Sequence, residues 1–472
     1  MPQFNLGRTI SWTRALKAAN EEDAATLAML SDLQGNILKG HGRDNTLHLF
    51  LTFDAGASEK VKAFLRGMGD KMPSALDQLT KTQLFKSVGQ DSGLFVAMFL
   101  SSQGYQALGL NEVQPTGAAF RAGMKQRTAT LNDPDPGQWD KHLAGPVHAM
   151  ILLAHDDQGA LEADAQALRV ELGALNGAIT ILGQEAGLAR RNKDKHGIEH
   201  FGYVDGRSQP LMLDEEIEAE AGGIDKWDPT IPLSQILVPC PGGALDVSFG
   251  SFFVFRKLEQ NVKGFKTQEQ TLRAKLKEES GNDPDELAGA FVVGRYENGT
   301  PIEVSPVEQQ MTQDVPNNFN FDADPTGLRC PFAAHIRKTN PRDKSIRSNS
   351  RLMARRGITY GERNDDPNDG QLDNKPQKGV GLLFMAYQSS IENQFEFTQQ
   401  SWANNANFHF NSPSQPVGID PVIGQPQGGV PQRYPLHYGV GPLSTPFDFS
   451  GFVTMKGGDY FFAPSLSFFK RL

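Results

Sequence analysis

A chain of 472 residues is longer than one hydrophobic core usually grows, so two domains or one duplicated domain are expected. Its 46 basic and 55 acidic residues give a net charge of −9, and no block of Lys and Arg is dense enough to follow a phosphate backbone, which argues against a nucleic-acid partner. Two cysteines, Cys240 and Cys330, cannot build a disulfide framework and suit free thiols in a reducing compartment. The opening residues lack a charged stretch followed by an apolar run, and no apolar segment approaches the roughly 20 residues of a membrane-spanning helix. The expectation is a cytoplasmic protein with no membrane span.

In chain order, apolar segments rich in Phe, Leu and Val predict strands at Leu47–Phe53, Gly93–Leu100, Val147–Leu153, Ser251–Phe255, Gly381–Tyr387 and Asp459–Phe462. Helical periodicity follows three of them, over Ser58–Met68, Gly159–Leu175 and Lys257–Leu276. Strand then helix thus recurs in both halves. A faint echo between Phe252–Phe265 and Leu382–Phe395, each an extended apolar run before a polar stretch, suits a split βαβ unit of the ferredoxin-like kind. The prediction is an α+β fold of duplicated ferredoxin-like domains, with antiparallel sheets and flanking helices. The stretch Asp214–Pro241 lacks regular apolar spacing and carries Pro229, Pro232, Pro239 and Pro241, which places the boundary near Asp225 and the domains at 1–225 and 226–472. Polar segments at Glu278–Asp285, Asn298–Asp324 and Asn364–Lys378 predict long loops lining access to a site.

Three segments and one histidine pair carry candidate chemistry. His196 and His200 have the i, i+4 spacing of a zinc pair, but Gly197 and Gly202 disfavour the helix it needs, and no C-x-x-C adds thiolates. His335 lies in Cys330-Pro-Phe-Ala-Ala-His-Ile-Arg-Lys-Thr-Asn-Pro-Arg-Asp343, and reads either as a structural histidine on a basic loop or as a single axial metal ligand. The second role suits a haem, which needs one imidazole on its proximal side and cations for its propionates; Arg337, Lys338 and Arg342 are at hand. A carboxylate elsewhere should accept the other imidazole N–H. Asp205, in Gly202-Tyr-Val-Asp-Gly206, reads as an Asp-Gly turn or as a positioned acid. Ala354-Arg-Arg-Gly-Ile-Thr-Tyr-Gly361 reads as a basic turn or as a positioned guanidinium.

Taken in order, these segments resemble one family, the dye-decolorizing peroxidases, over nearly the whole chain. The resemblance begins at Leu33-Gln-Gly-Asn-Ile-Leu-Lys-Gly-His41 and runs through Gly202-x-x-Asp205-Gly206, the His335 segment and Arg356 of Arg-Arg-Gly-Ile. Trp402-Ala-Asn-Asn405, Gly418-Ile-Asp-Pro-Val-Ile-Gly424 and Gly458-Asp-Tyr-Phe-Phe462 complete it. It implies a fold of the dimeric α/β barrel superfamily and one haem b (iron protoporphyrin IX) per chain, with His335 as iron ligand and Arg337 and Arg342 beside the cofactor. Asp205 and Arg356 are implied as the distal pair, with Leu382 and Phe384 walling the distal pocket. The chain looks most like the larger members, those resembling fungal and cyanobacterial enzymes, which implies Asp420 as the carboxylate partner of His335. Ser390 stands where smaller bacterial members carry an acid, and Glu392 is the second candidate.

The implied substrates are hydrogen peroxide and aromatic reducing substrates such as dyes and phenols. Peroxide heterolysis needs a proton carried from one oxygen to the other while charge builds on the leaving group, roles for Asp205 and Arg356. A carboxylate beside a guanidinium stays ionised in mild acid, where a distal histidine would protonate near ~6.5, so activity is expected to be greatest at acidic pH. Trp402, Tyr434 and Tyr438 are candidates for electron transfer from bulky donors. Two other readings are a haem-binding or iron-releasing protein without peroxidase turnover, and a metal-dependent hydrolase built on His196, His200 and Asp205.

Overall fold

The computed structural model describes residues 4–220, 222–310, 314–410, 412–425 and 430–472. Runs of aromatic and branched apolar residues fall in strands as anticipated: β1 (Asn45–Phe53), β2 (Phe95–Ser101), β3 (Ala149–His155) and β4 (Ile179–Leu188) pair antiparallel in the order β4-β1-β3-β2. Helices Ser58–Lys71 and Gln158–Gly173 follow β1 and β3, which is the βαββαβ arrangement of a ferredoxin-like unit. The second half repeats it. Its strands are β5 (Val238–Pro239), β6 (Phe249–Gln260), β7 (Ala354–Arg355), β8 (Ile358–Tyr360) and β9 (Gly381–Gln388), then β10 (Pro435–His437), β11 (Val440–Leu443) and β12 (Val453–Ala463). β12, β6 and β9 lie side by side, with β7 and β8 both on the outer edge of β9. Two residue pairs between β2 and β12, Ser101 with Phe461 and Leu100 with Phe462, join the units into one ten-stranded sheet.

Several expected elements shift. Apolar character continues through Leu258, so Lys257–Gln260 extend β6, and the helix begins at Val262, capped by Asn261 accepting from Gly264 N. The Phe252 and Leu382 segments start β6 and β9, so their echo relates two strand-to-helix passages of one unit. Of the three expected loops, Asn364–Lys378 and the described residues of Asn298–Asp324 (311–313 lying outside them) have no helix or strand, whereas Glu278–Ser280 end the helix Val262–Ser280. Both cysteines are free and buried. Among the described residues, no helix is long and apolar enough to cross a membrane.

Both faces of the sheet are covered. On β1 and β2, Leu47, Leu49, Leu51, Val96, Met98 and Leu100 face one way, against Val61, Leu65 and Met68 of the first helix. Phe50, Phe95, Ala97 and Phe99 face the other, against Leu33, Ile37 and Leu38. Successive strand residues point to opposite faces, so parity decides which side chains share a site. A third cluster surrounds helix Val262–Ser280 and includes Ala334 and Ile336, the neighbours of His335.

Candidate functional site

His335 opens the short helix His335–Thr339, and its side chain is 26% exposed. Its Nδ1 lies 2.9 Å from Oδ2 of Asp420, whose side chain is fully buried. The other Asp420 oxygen accepts from Val422 N at 2.8 Å and Ile423 N at 3.0 Å, and its backbone N–H donates to Ala403 O. The carboxylate is thus fixed by its own turn before it meets the imidazole. Burial opposes charge on His335, but Asp420, by charge and hydrogen bond, and then Asp205 outweigh it and raise the imidazole's proton affinity, with Arg355 subtracting. His335, Asp420, Asp205 and Arg355 therefore share one electrostatic neighbourhood. Glu392, the second acid considered, is turned away, accepting from Ala119 N and Ser390 Oγ.

Asp205 is exposed on a turn whose following residue, Gly206, has φ +82°, a conformation glycine adopts at little cost. Its backbone N–H donates to Gly197 O at 3.0 Å, and its Oδ1 accepts from Gly206 N at 2.6 Å. Three residues on, Ser208 accepts at its carbonyl from Arg355 (3.2 Å) and at its hydroxyl from Arg342 (2.9 Å). The Asp205 turn is therefore tied to two arginines.

The parity of β7 corrects the expected distal arginine. Arg355 stands opposite Ala386 in the β7–β9 register, hence on the same face as Leu382 and Phe384. Arg356 has the opposite parity, with Leu383, Met385 and Tyr387. Its guanidinium donates to the carbonyls of Asn36 (2.8 Å), Ile37 (2.9 Å) and Arg355 (2.8 Å), beneath the Leu33–His41 segment. Arg356 cannot share a pocket with Leu382 and Phe384; it clamps the N-terminal segment to the sheet. Leu382 and Phe384 themselves are part-exposed, with the Phe384 ring 5.9 Å from Phe395.

Two of the three cations expected beside a cofactor are engaged elsewhere. Arg337 is buried, with its guanidinium on Asp324 Oδ2 (2.7 Å) and on the carbonyls of Cys330 and Asp324. Lys338, fully buried, donates to the carbonyls of Asn405, Phe408 and Gly418. Sequence spacing concealed both, because the partners lie from 7 to 80 residues away. Arg342 differs: it is buried among carbonyl and hydroxyl acceptors of Asn317, Phe319 and Ser208, and among the described residues it has no carboxylate partner. Burial, then repulsion from Arg295 and Arg207, pulls its proton affinity well down; burial likewise draws Arg295 down to about 9. Arg295, which sequence reading missed, extends this buried positive region, and an anionic group beside it would relieve the repulsion.

His200 is buried with Nε2 bonded to Tyr360 O, and among the described residues no group of three or more His, Cys, Asp or Glu is placed to hold a metal ion. The hydrolase reading loses its ligand set. Trp402 and Tyr434 are buried; Tyr438 is half-buried with its hydroxyl on Ile302 O.

Comparison with known proteins decides the family. The multifunctional dye peroxidase DyP2 of Amycolatopsis sp. is 44% identical over 480 residues, covering 99% of both chains. This chain belongs to the dye-decolorizing (DyP-type) peroxidase family. Residues 238–418 match the family model described as Dyp-type peroxidase, C-terminal. The solved structure of DyP2 superposes with a TM-score of 0.90 at 42% identity, covering 99% of this chain and 100% of that one. A DyP-type peroxidase from Anabaena sp. gives 0.87 at 36% identity, covering 99% of this chain and 98% of that one. Like the rest of the DyP-type family, the chain is a peroxidase, and the family depends on haem. The residues fit that group: an imidazole with Nδ1 anchored by a buried carboxylate and Nε2 unengaged by the described residues, an apolar wall, and two buried arginines, Arg342 and Arg295, that meet no carboxylate among the described residues.

Proposed function

We propose that this chain binds one haem b through His335, reduces hydrogen peroxide, and oxidises bulky aromatic donors such as dyes and phenols. The contact that carries the reading is the 2.9 Å pairing of His335 with Asp420, in the electrostatic neighbourhood of Asp205 and Arg355. When bound, the haem supplies the redox-active iron at which peroxide is reduced. His335 offers its Nε2 lone pair, while Asp420 holds the Nδ1 proton and so strengthens the ring as a donor. Asp205 takes the proton from one peroxide oxygen and returns it to the other. Arg355, in place of Arg356, stabilises the negative charge that builds on the departing oxygen, which leaves as water. Arg342, with Arg295 behind it, takes a propionate. A carrier of haem, or a protein that merely removes its iron, has no use for the Asp205–Arg355 pair.

Leu382 and Phe384 keep bulky donors from the distal side, so their electrons enter through an aromatic side chain, with Trp402, Tyr434 and Tyr438 as the sites to replace one by one with Phe. Unchanged dye turnover in all three variants removes the relay. The domain division near Asp225 is part of the same reading, supported by the repeated strand order and by a family match that starts at residue 238. The visible spectrum tests the function: a Soret band that shifts on one equivalent of peroxide is expected, whereas a protein that cannot be reconstituted with haem refutes it.

A further inference from the structure

The helix that starts at His335 carries a second charged side chain for which peroxide reduction has so far no role. Lys338 is 0% exposed, and its ammonium donates to the carbonyls of Asn405 at 2.9 Å, Phe408 at 2.5 Å and Gly418 at 2.7 Å. All three acceptors lie on the loop that leads into Asp420, two residues beyond Gly418. An ammonium has three N–H groups to match three carbonyls; a neutral amine would leave one unmatched. Burial draws Lys338 down to about 7, and the charge of Asp420 opposes that fall. Among the described residues no carboxylate forms an ion pair with it, so the carbonyl dipoles and the field of Asp420 hold its charge.

Asp420 is gripped from the other end of the same helix, where Oδ2 meets His335 Nδ1. His335 and Lys338 are three residues apart, about one helical turn, and so reach one loop from one helix. We propose that Lys338 is a positioning residue for the haem ligand: its ammonium, seated on the carbonyl of Gly418 two residues before Asp420, tempers the pull of the Asp420 carboxylate on the His335 Nδ1 proton. This rests on the reading of His335 as ligand and Asp420 as its partner. Removing the ammonium's charge lets the carboxylate draw harder on the Nδ1 proton. The imidazole then becomes a stronger donor, which favours the oxidised metal.

The test is the reduction midpoint of the haem-loaded protein at mildly acidic pH, in wild type, Lys338→Met, Asp420→Asn and the double variant. Lys338→Met is expected to lower the midpoint by roughly tenfold in the oxidised-to-reduced ratio, about 59 mV for a one-electron couple. In the Asp420→Asn background the same replacement should move it by less than about a third as much, because the effect passes through the carboxylate. Lys338→Gln keeps amide donors for the carbonyls without the charge and should reproduce the shift, which also serves if Lys338→Met does not fold. Equal shifts in both backgrounds, or no shift in either, overturn the proposal. An Asp420→Asn midpoint that is itself unmoved overturns the ligand-pair reading first, and the role of Lys338 with it.

Discussion

The two sides of the candidate haem site differ in how firmly they are held. On the proximal side Asp420 has no exposed side-chain surface, both of its oxygens are engaged, and Lys338 pins the loop before it through three carbonyls. On the proposed distal side Asp205 is exposed on a glycine turn, and among the described residues its carboxylate accepts a local backbone N–H alone. The Arg355 guanidinium reaches the end of that turn at Ser208 O (3.2 Å), and its backbone N–H donates to Gln209 Oε1 (3.0 Å). The difference matches the work assigned to each. A ligand must keep one orientation, so its partner is buried and over-determined. A proton carrier must meet a small substrate arriving from solvent and then release water, so it sits at the open end.

The largest expected effect breaks the proximal side: His335→Ala should abolish haem retention, read from the Soret absorbance of protein purified after reconstitution, while circular dichroism stays near wild type. Next comes the proposed distal arginine. Arg355→Leu should slow the reaction with peroxide by roughly 10²–10³-fold, as expected for loss of a donor aimed at developing charge, with haem still bound. Its neighbour separates the two faces of one strand. Arg356→Leu should leave that rate within about threefold, yet cost about 3 kcal/mol of stability in denaturant unfolding, because three carbonyls lose a charged donor. A reversal of these two outcomes would return the distal role to Arg356.

The smallest effect on the site lies beside the buried Arg337–Asp324 pair. Burial, helped by Asp324 and opposed by Arg337 and Arg329, pushes the Glu303 carboxyl up from 4.5 to about 7. Between those values the folded chain keeps a proton that the unfolded chain has released, so this group's contribution to stability falls as pH rises. Glu303→Gln should flatten that slope between about pH 4.5 and 7, read from denaturant unfolding at a series of pH values. An unchanged stability profile would place the titration elsewhere.

Among the described residues six of the twelve strands were legible, because Phe, Leu and Val cluster in them; β5, β7, β8, β10 and β11, each of four residues or fewer, are too short to show a pattern. β4 was not legible either: Gly183, Gln184, Glu185 and Gly187 interrupt its apolar run, as an edge strand with a half-exposed face permits. The pairing of His335 with Asp420, suggested by family resemblance, is a direct contact. The choice between Arg355 and Arg356 could not be read, since adjacent residues of identical chemistry differ only by the register of β7 on β9, which no local pattern encodes. Arg337 and Lys338 were misjudged for a related reason. A cation beside a ligand suggests an anionic cofactor, but the acceptors that engage these two, Asp324 and the carbonyls of residues 405–418, come together only in the folded chain.

The division of labour between the two sides is tested most directly by stopped-flow absorbance of haem-loaded Asp205→Asn mixed with peroxide. The Soret band before mixing should match wild type, because the proximal contacts are untouched, while the rate of its change should fall by about 10²–10⁴-fold. A variant that reacts at the wild-type rate would contradict the account, since the proton would then travel by another route.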